Sequence, residues 1–361
     1  MPPAAVHAEA GLEGRGAGSA GPAPARRWLI SDHDAGEEGL QAVPDEWIVT
    51  VRKGASTEAL ASRLGATVVG RMPVGGTYRL RFSDAASAAM ARRALEGDPS
   101  VLGIESNYII PRPSVPVPAA TDPALASGVN LSPVSSETPI VIGLVDTAVG
   151  TSGGIQEGFL LGSSVHAPVP THGNSVVAAI LDGLAAAAGE RAASAVRILP
   201  VDVYGGAPET TSYQVAEGIL AAMEQGATVV NLSLGTSAPV RLVQDLIDAG
   251  DELGVVFVGA AGNEPVATPT YPAAYDPVLA VTSMDGSGRV ADDVNHGAFV
   301  DVGAPGTVRF PYGDGWYMAA GTSISAGFVS GLTAGLAERT GISVTEAKEQ
   351  VARMLAVEPG P

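Results

Sequence analysis

The sequence predicts an α/β fold in which a mostly parallel sheet carries helices on both faces, preceded by a small α+β domain of the ferredoxin-like kind. Two observations support this fold class. From residue 140 onward, short β-branched runs alternate with amphipathic helical patterns, as in a parallel sheet that is covered on both sides. Between residues 46 and 110 the order is instead strand, helix, strand, strand, helix, strand.

Composition excludes several classes of function. The 361 residues carry 38 acidic and 20 basic side chains, and a net charge of −18 argues against nucleic acids and anionic membranes as partners. No apolar run reaches the ~18 residues of a membrane span. The absence of cysteine rules out disulfides and thiolate metal sites. The charge is uneven, with +1 over residues 43–110 and −16 over residues 111–361, which indicates two different modules.

Residues 1–42 are rich in Gly, Ala and Pro and are predicted to be a flexible leader. They lack the apolar stretch of a secretory signal, so we expect export by another route or a signal already removed. Residues 43–110 should form the small domain, with Ser56 and Asp84 capping its two helices. Domains of this kind include metal carriers and RNA-binding modules. A metal carrier would need cysteines, which this chain does not have. An RNA-binding module would need aromatic pairs on the central strands, which are also missing here.

Residues 111–139 contain seven prolines and are predicted to be an extended, accessible linker. The α/β domain then spans residues 140–361. Its first strand ends in Asp146, and its fourth leads into Asn263, so both side chains should arrive at the carboxyl edge of the sheet. No Gly-rich turn in this domain matches a dinucleotide fingerprint or a P-loop.

One stretch, residues 321–331, places Ser323 at the start of a helix that has a stripe of small residues and should be buried against another backbone. Taken alone, such a serine is more often a helix cap. Likewise, His172 opens an apolar helix, where an isolated histidine is more often structural. The other histidines lie in the leader, in a Pro/Gly/Ser-rich loop, or in a turn, namely His7, His33, His166 and His296.

Together, these side chains fill the four roles that acyl transfer by serine requires. A hydroxyl needs a base, the base needs a carboxylate, and the developing oxyanion needs donors. Ser323, His172, Asp146 and Asn263 supply them. The chain order Asp, His, Ser excludes the α/β-hydrolase arrangement.

Four short blocks in the same order resemble the subtilisin family of serine proteases. They are Val141–Thr147, His172-Gly173, Asn231–Gly235 with Ala261–Asn263, and Gly321–Ser323, and the stretch Asp301–Gly306 is also similar. Residues 46–110 resemble the propeptide of that family. The resemblance therefore implies a subtilisin-like fold and a secreted serine endopeptidase made as a zymogen.

The resemblance also implies roles for individual residues. Ser323 would be the nucleophile, His172 the general base and then acid, and Asp146 its orienting partner. Asn263 and the Ser323 backbone N–H would form the oxyanion hole. The walls of the substrate pocket would be Ser233, Leu234, Gly235, Ala260, Ala261 and Gly262.

Some residues depart from the family pattern. Ser175 stands where the family usually has a second histidine, and residues 324–328 differ from the usual stretch after the nucleophile. Residues 183–195, where many relatives have a calcium loop, are mostly alanine, so the sequence offers no clear calcium motif. Catalysis should require no cofactor, and we expect a monomer that acts on proteins or peptides.

The C-terminal strand of the small domain is expected to pair near Ser233–Gly235 as a product-like inhibitor. Maturation should cut the linker at a non-proline step between about Pro113 and Pro139. Two alternatives to an endopeptidase stay open. A peptide-processing enzyme or macrocyclase would use the same triad, and a catalytically silent protein would keep only the fold.

Overall fold

The computed structural model describes residues 41–73, 75–120, 131–151, 155–162, 165–189 and 193–357. Most of the predicted leader, including His7 and His33, lies outside the described residues. The same holds for the middle of the predicted linker, residues 121–130.

The N-terminal domain has the predicted order of strands and helices. Its elements are β1 (Ala42–Val51), α1 (Thr57–Leu64), β2 (Thr67–Met72), β3 (Thr77–Arg81), α2 (Ala85–Gly97) and β4 (Val101–Pro111). The four strands form an antiparallel sheet in the order β4-β1-β3-β2. Ser56 and Asp84 cap the helices as expected, because their side chains accept hydrogen bonds from the backbone N–H groups of Ala59 and Ser87.

The rest of the chain builds the larger domain. Its strands are β5 (Val117–Pro118), β6 (Ser132–Pro133), β7 (Val141–Asp146), β8 (Gly150–Thr151), β9 (Val165–His166), β10 (Ala193–Ser194), β11 (Arg197–Asp202), β12 (Glu209–Thr211), β13 (Val229–Leu232), β14 (Val256–Ala260), β15 (Val278–Met284), β16 (Val302–Pro305), β17 (Thr307–Tyr312) and β18 (Gly315–Ala320). Its helices are α3 (His172–Ala188), α4 (Ser212–Glu224), α5 (Arg241–Glu252), α6 (Thr322–Thr340) and α7 (Val344–Leu355), with a 3-10 turn at Ile155–Phe159.

A six-stranded parallel sheet, ordered β11-β7-β13-β14-β15-β16, forms the centre of this domain. Strand β7 shows why both faces are covered. Its residues Ile142 and Leu144 belong to the core under α3, α6 and α7, whereas Val141 and Val145 belong to the core under α4 and α5. A strand buried on both faces reads as a continuous apolar run, which is how the sequence predicted it. The predicted fold class is confirmed.

The N-terminal domain packs against the α4 and α5 side of the sheet. Ile48, Met72 and Tyr108 join the core on that side. Its last strand, β4, also pairs antiparallel with β12, with Ile110 opposite Thr210. The expected pairing near Ser233–Gly235 is therefore corrected, since the strand pairs with Glu209–Thr211. The reason is that β12 runs directly into α4, the helix on which the end of β4 docks.

Parts of the predicted linker are less accessible than expected. Strand β5 pairs with β18, and β6 pairs with β10. Leu131 is 2% exposed, and Pro116 is buried. Proline-rich segments cannot build an interior sheet strand, but they can pair at an edge where few N–H groups are needed. Within the described ranges, none of the helices is both long and apolar enough to cross a lipid bilayer.

Candidate active site

Asp146 and His172 meet at the carboxyl edge of the central sheet. Asp146 is the last residue of β7 and is 0% exposed, while His172 is the first residue of α3 and is 6% exposed. The His172 Nδ1 atom lies 2.9 Å from both carboxylate oxygens of Asp146. Oxygen Oδ1 of Asp146 also accepts the N–H of Thr147 at 2.6 Å. A carboxylate held in this way fixes the imidazole ring and favours the tautomer with hydrogen on Nδ1.

The start of α3 is held firmly around the histidine. Thr171 and Asn174 form a capping box, and the Asn174 side chain also bonds both the N–H and the carbonyl of Gly150. The N–H of Gly173 donates to Thr147 Oγ1 at 2.9 Å. His172 is therefore anchored to the chain that leaves β7, which carries Asp146.

Helix α6 packs alongside α3 in a fixed parallel register. Gly327 lies against Val176, since a Cβ there would be 3.0 Å from the Val176 carbonyl oxygen, and Gly331 lies so close to Ile180 that a Cβ would overlap its carbonyl. The small-residue stripe thus does lie against another backbone, as predicted. Continued one turn toward the N-termini, the same register predicts that Ser323 lies beside His172.

Ser323 is the second residue of α6 and is 7% exposed. The helix cap is Gly321, which provides no side-chain hydrogen bond, so Ser323 does not have the common capping role. Its hydroxyl donates to the Ser233 carbonyl at 3.3 Å, and the Ser233 hydroxyl donates back to the Ser323 carbonyl at 3.2 Å. Asn231 supports the pair, because it accepts a hydrogen bond from the Ser233 hydroxyl at 2.8 Å and donates one to Ser330 at 3.1 Å.

Asn263 is oriented by Thr322, the residue before Ser323. Oxygen Oδ1 of Asn263 accepts the Thr322 N–H at 2.8 Å and its hydroxyl at 3.1 Å. Because the oxygen is engaged in this way, the amide nitrogen is the atom of the Asn263 side chain that is left to donate. Gly321 has a φ of +126°, and a Cβ there would lie 2.8 Å from Asn263 Oδ1, so this approach requires glycine. Together with the first-turn N–H groups of α6, the arrangement can stabilise an oxyanion.

One supporting residue, Asn295, was missed by the sequence reasoning. It brackets the loop of Asn263, because its N–H donates to the Gly262 carbonyl at 3.0 Å and its Oδ1 accepts the Glu264 N–H at 2.8 Å. Its amide nitrogen donates to Thr270 at 3.1 Å. The only local sequence pattern around Asn295 is the Asn295-His296-Gly297 turn. Such a turn is typical of the protein surface, so it gave no indication of a buried supporting role. Asn295 itself is 4% exposed.

The predicted pocket residues fall into two groups. Ser233 touches Ser323, and the Gly262 N–H donates to Thr322 Oγ1 at 3.1 Å, so both border the site. The side chains of Leu234 and Ala260 belong to the two cores of the domain. Gly235 lies against Thr270 and Tyr271. Whether these residues and Ala261 contact substrate stays a prediction.

The described residues contain no group of three or more His, Asp or Glu side chains that could hold a metal ion. Of the segment in which many relatives have a calcium loop, residues 183–189 and 193–195 are described. The side chain of His166 is not described, and His296 lies partly exposed in its turn, with Nδ1 3.5 Å from the Val294 carbonyl.

Two side chains of the N-terminal domain reach helix starts of the larger domain. Oxygen Oδ1 of Asn107 accepts the Tyr213 N–H of α4 at 3.1 Å. The carboxylate of Glu105 accepts the N–H groups of Arg241 and Leu242, the first residues of α5, at 2.8 and 3.1 Å. Burial of this carboxyl group raises the pKa of Glu105 to about 7, although the two N–H groups act in the opposite direction.

Comparison with known families identifies both domains. The model of the subtilase family matches residues 162–356, more than half of the chain. The chain belongs to the subtilase family. A model of the fervidolysin N-terminal prodomain matches residues 30–107, so the N-terminal domain of this subtilase is of the prodomain type.

Individual relatives agree with this family. The thermophilic serine proteinase of Bacillus sp. (strain AK1) is 36% identical over 160 residues, which are 43% of this chain and 40% of that protein. Thermitase of Thermoactinomyces vulgaris is 33% identical over 50% of this chain and 64% of its own length. Subtilisin DY of Bacillus licheniformis is 30% identical over 54% of this chain and 75% of its own length. The chain thus spans less than two thirds of the first two relatives.

Solved structures share the fold of both domains. Fervidolysin from Fervidobacterium pennivorans, described as a keratinolytic enzyme related to subtilisin, aligns with a TM-score of 0.67 and 21% identity over 86% of this subtilase and 56% of fervidolysin. An epidermin leader peptide processing serine protease from Staphylococcus aureus aligns with a TM-score of 0.64 and 14% identity, over 86% of this chain and 92% of that one.

Proposed function

We propose that this subtilase is a serine endopeptidase, made as a precursor that its own prodomain inhibits. The observation that carries the proposal is the position of His172, whose Nδ1 lies 2.9 Å from both oxygens of the buried Asp146. The α3–α6 register supports a contact between the other side of the ring and Ser323. Base, carboxylate and hydroxyl then form one chain of proton transfer.

In the proposed reaction, Ser323 Oγ attacks the carbonyl carbon of the scissile bond while His172 takes its proton. His172 then gives that proton to the leaving amine, and water hydrolyses the ester by the same route in reverse. Asp146 stabilises the imidazolium that forms at each step. Asn263 Nδ2 and the Ser323 N–H would donate to the oxyanion, because Thr322 already engages the oxygen of the Asn263 amide.

The proposal extends to domains and partners. Residues 43–110 would be the inhibitory prodomain, 111–139 the maturation segment and 140–361 the catalytic domain, with proteins or peptides as substrates. Substrate backbone would lie along Ser233, Leu234 and Gly235, opposite Ala260–Gly262. No step of this chemistry uses a metal ion, and family membership supports export from the cytoplasm.

The test compares the wild type with Ser323→Ala after the prodomain has been removed. We expect a serine-directed phosphonate to label the wild type once, at Ser323, and hydrolysis of a defined peptide to fall by about 10⁴-fold or more in the variant, a scale known from the family rather than derived from these contacts. Ser325→Ala, two residues further along the same helix, is the matched control and should still be labelled.

Product masses separate this proposal from its alternatives. Hydrolysis adds the mass of water to each cut peptide, whereas cyclisation by transfer of the acyl group to an amine does not. Labelling at another serine, or equal rates for wild type and Ser323→Ala, would contradict the proposal. An unlabelled and inactive wild type would instead indicate a silent subtilase fold.

A further inference from the structure

The segment that joins the two domains is paired with strands of the larger domain at both of its ends. On the side of the prodomain, β4 pairs with β12 up to Pro111, opposite Glu209. The pairing continues one residue further, because the Arg112 N–H donates to the Pro208 carbonyl at 2.9 Å. The Tyr204 hydroxyl also donates to the Pro111 carbonyl at 3.2 Å.

On the far side, the same segment pairs with the strand that leads to the nucleophile. Val117 and Pro118 of β5 lie opposite Met318 and Tyr317 of β18. The Ala119 N–H extends the pairing with a hydrogen bond to the Trp316 carbonyl at 2.8 Å. After β18 the chain passes through Gly321 directly into α6, whose second residue is Ser323.

Only the stretch from Pro113 to Pro116 therefore crosses between the two pairings. If the β5–β18 register continued to the end of the strand, Ser114 would lie opposite Gly321, the residue that precedes α6, and Pro113 would lie beside the start of that helix. Ser114 and Val115 are exposed, so the peptide bonds on either side of Ser114 are accessible for cleavage.

Proline removes two of the bonds in this region. Cleavage before Pro113 or before Pro116 would need a proline as the leaving amine, whose ring restricts the backbone and which offers no N–H. Two bonds remain within the crossing stretch, Pro113–Ser114 and Ser114–Val115. The β5–β18 register brings the first of them nearer to Ser323.

We propose that Pro113–Ser114 is the bond that this subtilase cuts in its own chain during maturation, an assignment that rests on the proposed endopeptidase function. Ser323 Oγ attacks the Pro113 carbonyl carbon, the bond to the Ser114 nitrogen breaks, and His172 delivers the hydroxyl proton to that nitrogen. Water then hydrolyses the ester. The products are a carboxylate on Pro113, a proton released to solvent, a free amine on Ser114 and a restored Ser323 hydroxyl.

The strand pairings indicate where the two chain ends created by the cleavage remain. The prodomain end stays paired with the β12 strand through Ile109–Arg112. The new N-terminus stays near α6, because β5 remains paired with β18. The bond is therefore cut within a segment that is anchored at both ends, which favours cutting of the chain by itself over cutting by a second molecule.

The test uses the full chain and two neighbouring proline substitutions. In the wild type, N-terminal sequencing and intact mass should give a mature protein that begins at Ser114. Ser114→Pro turns the leaving amine into proline and should slow maturation by about tenfold or more, whereas Val115→Pro should stay within about twofold of the wild type. Both variants in a Ser323→Ala background should unfold at the same temperature, which shows that they fold.

The outcomes separate the two proposals. If mature wild type begins at Val115 and only Val115→Pro blocks maturation, the assigned bond is wrong while the endopeptidase stands. A mature N-terminus elsewhere, in a protein that a phosphonate labels at Ser323, has the same meaning. If the wild type neither matures, nor is labelled, nor hydrolyses peptides, then the endopeptidase proposal fails and the assigned bond fails with it.

Discussion

Helices α5 and α6 both begin without a side-chain cap of their own, yet their free N–H groups have different partners. Helix α5 begins after Val240, and its first N–H groups bond the carboxylate of Glu105 from the prodomain. Helix α6 begins after Gly321, and its first turn faces the cleft beside Asn263. Both helix starts favour a negative charge, since unpaired N–H groups and the helix dipole act together there.

The difference shows how one physical property serves two purposes. At α5 the acceptor belongs to the precursor, and its two hydrogen bonds from the helix start tie the prodomain to α5, although burial of the carboxylate opposes part of their contribution. At α6 the charge would form only during the proposed reaction, so the same property would stabilise a transition state. The start of α4 resembles α5, because Asn107 bonds the Tyr213 N–H and also donates to the buried Glu46 at 2.7 Å.

The net charges of the two domains predict a different kind of contact between the prodomain and the larger domain. A prodomain of +1 beside a domain of −16 predicts basic side chains on an acidic surface, and Arg79 does lie over the Tyr213 ring at 4.9 Å. At the helix starts, however, the prodomain presents a carboxylate. Local helix dipoles decide that contact, because exposed charges further away are screened by salt.

The largest effect is expected at α6. Asn263→Ala removes the proposed side-chain donor to the oxyanion and should lower kcat by about 10²–10³-fold, a magnitude known from the family rather than derived from these contacts. The KM should change little, because the donor acts on the transition state. The measurement is steady-state kinetics on a peptide substrate.

A control for this prediction is Asn174→Ala, which removes a capping side chain at the start of α3. It should lower the unfolding temperature, whereas Asn263→Ala should leave it nearly unchanged because the Asn263 side chain is exposed. If Asn263→Ala raised KM and left kcat intact, the comparison between the two helix starts would be wrong.

A smaller effect is expected at α5. Glu105→Ala leaves the N–H groups of Arg241 and Leu242 without their carboxylate and should weaken binding of the isolated prodomain to the mature enzyme by about 10- to 100-fold, as for the loss of a charged hydrogen-bond acceptor. Inhibition by prodomain added in trans measures this affinity. Glu58→Ala, an exposed carboxylate on α1, is the matched control and should have little effect. Equal inhibition by the Glu105→Ala and wild-type prodomains would mean that the hydrogen bonds from Glu105 to the start of α5 contribute nothing to binding.

The smallest effect is a dependence of prodomain binding on pH. Docking raises the pKa of Glu105 from an ordinary 4.5 to about 7, mainly by burial. The docked state therefore binds more protons than the free prodomain, so affinity is full below about pH 4.5 and falls as pH rises through about 7. Within this window we expect the dissociation constant to increase by up to about tenfold for each pH unit.

Neighbouring charges modify this window. Asp245 raises the pKa of Glu105 and Arg241 lowers it, and both stay on α5 after the prodomain leaves. Tyr275 and Asp248 lie close enough to share this electrostatic environment. Glu105→Gln cannot ionise and should give a flat profile. A profile that stayed steep in this variant would assign the dependence to another group.

The sequence by itself determined the fold class, the order of elements and the identity of the chemical groups. Buried strands such as β7 are apolar on both faces, and helix caps such as Ser56 and Asp84 act within a few residues of their own position. Such signals are local, so they can be found without the fold. The close packing of α6 was also visible, because glycine recurring every fourth residue leaves one side of a helix without side chains.

Only the tertiary structure decided which distant groups meet. Asn295 brackets the Asn263 loop from more than thirty positions away in the chain, and β4 pairs with β12 rather than near Ser233–Gly235. Glu105 caps a helix that begins at Arg241. A side chain that satisfies N–H groups far along the sequence leaves no periodic pattern, because its partner is set by how the layers pack. Sequence thus specified the candidate reactive groups, and packing set the contacts that orient them.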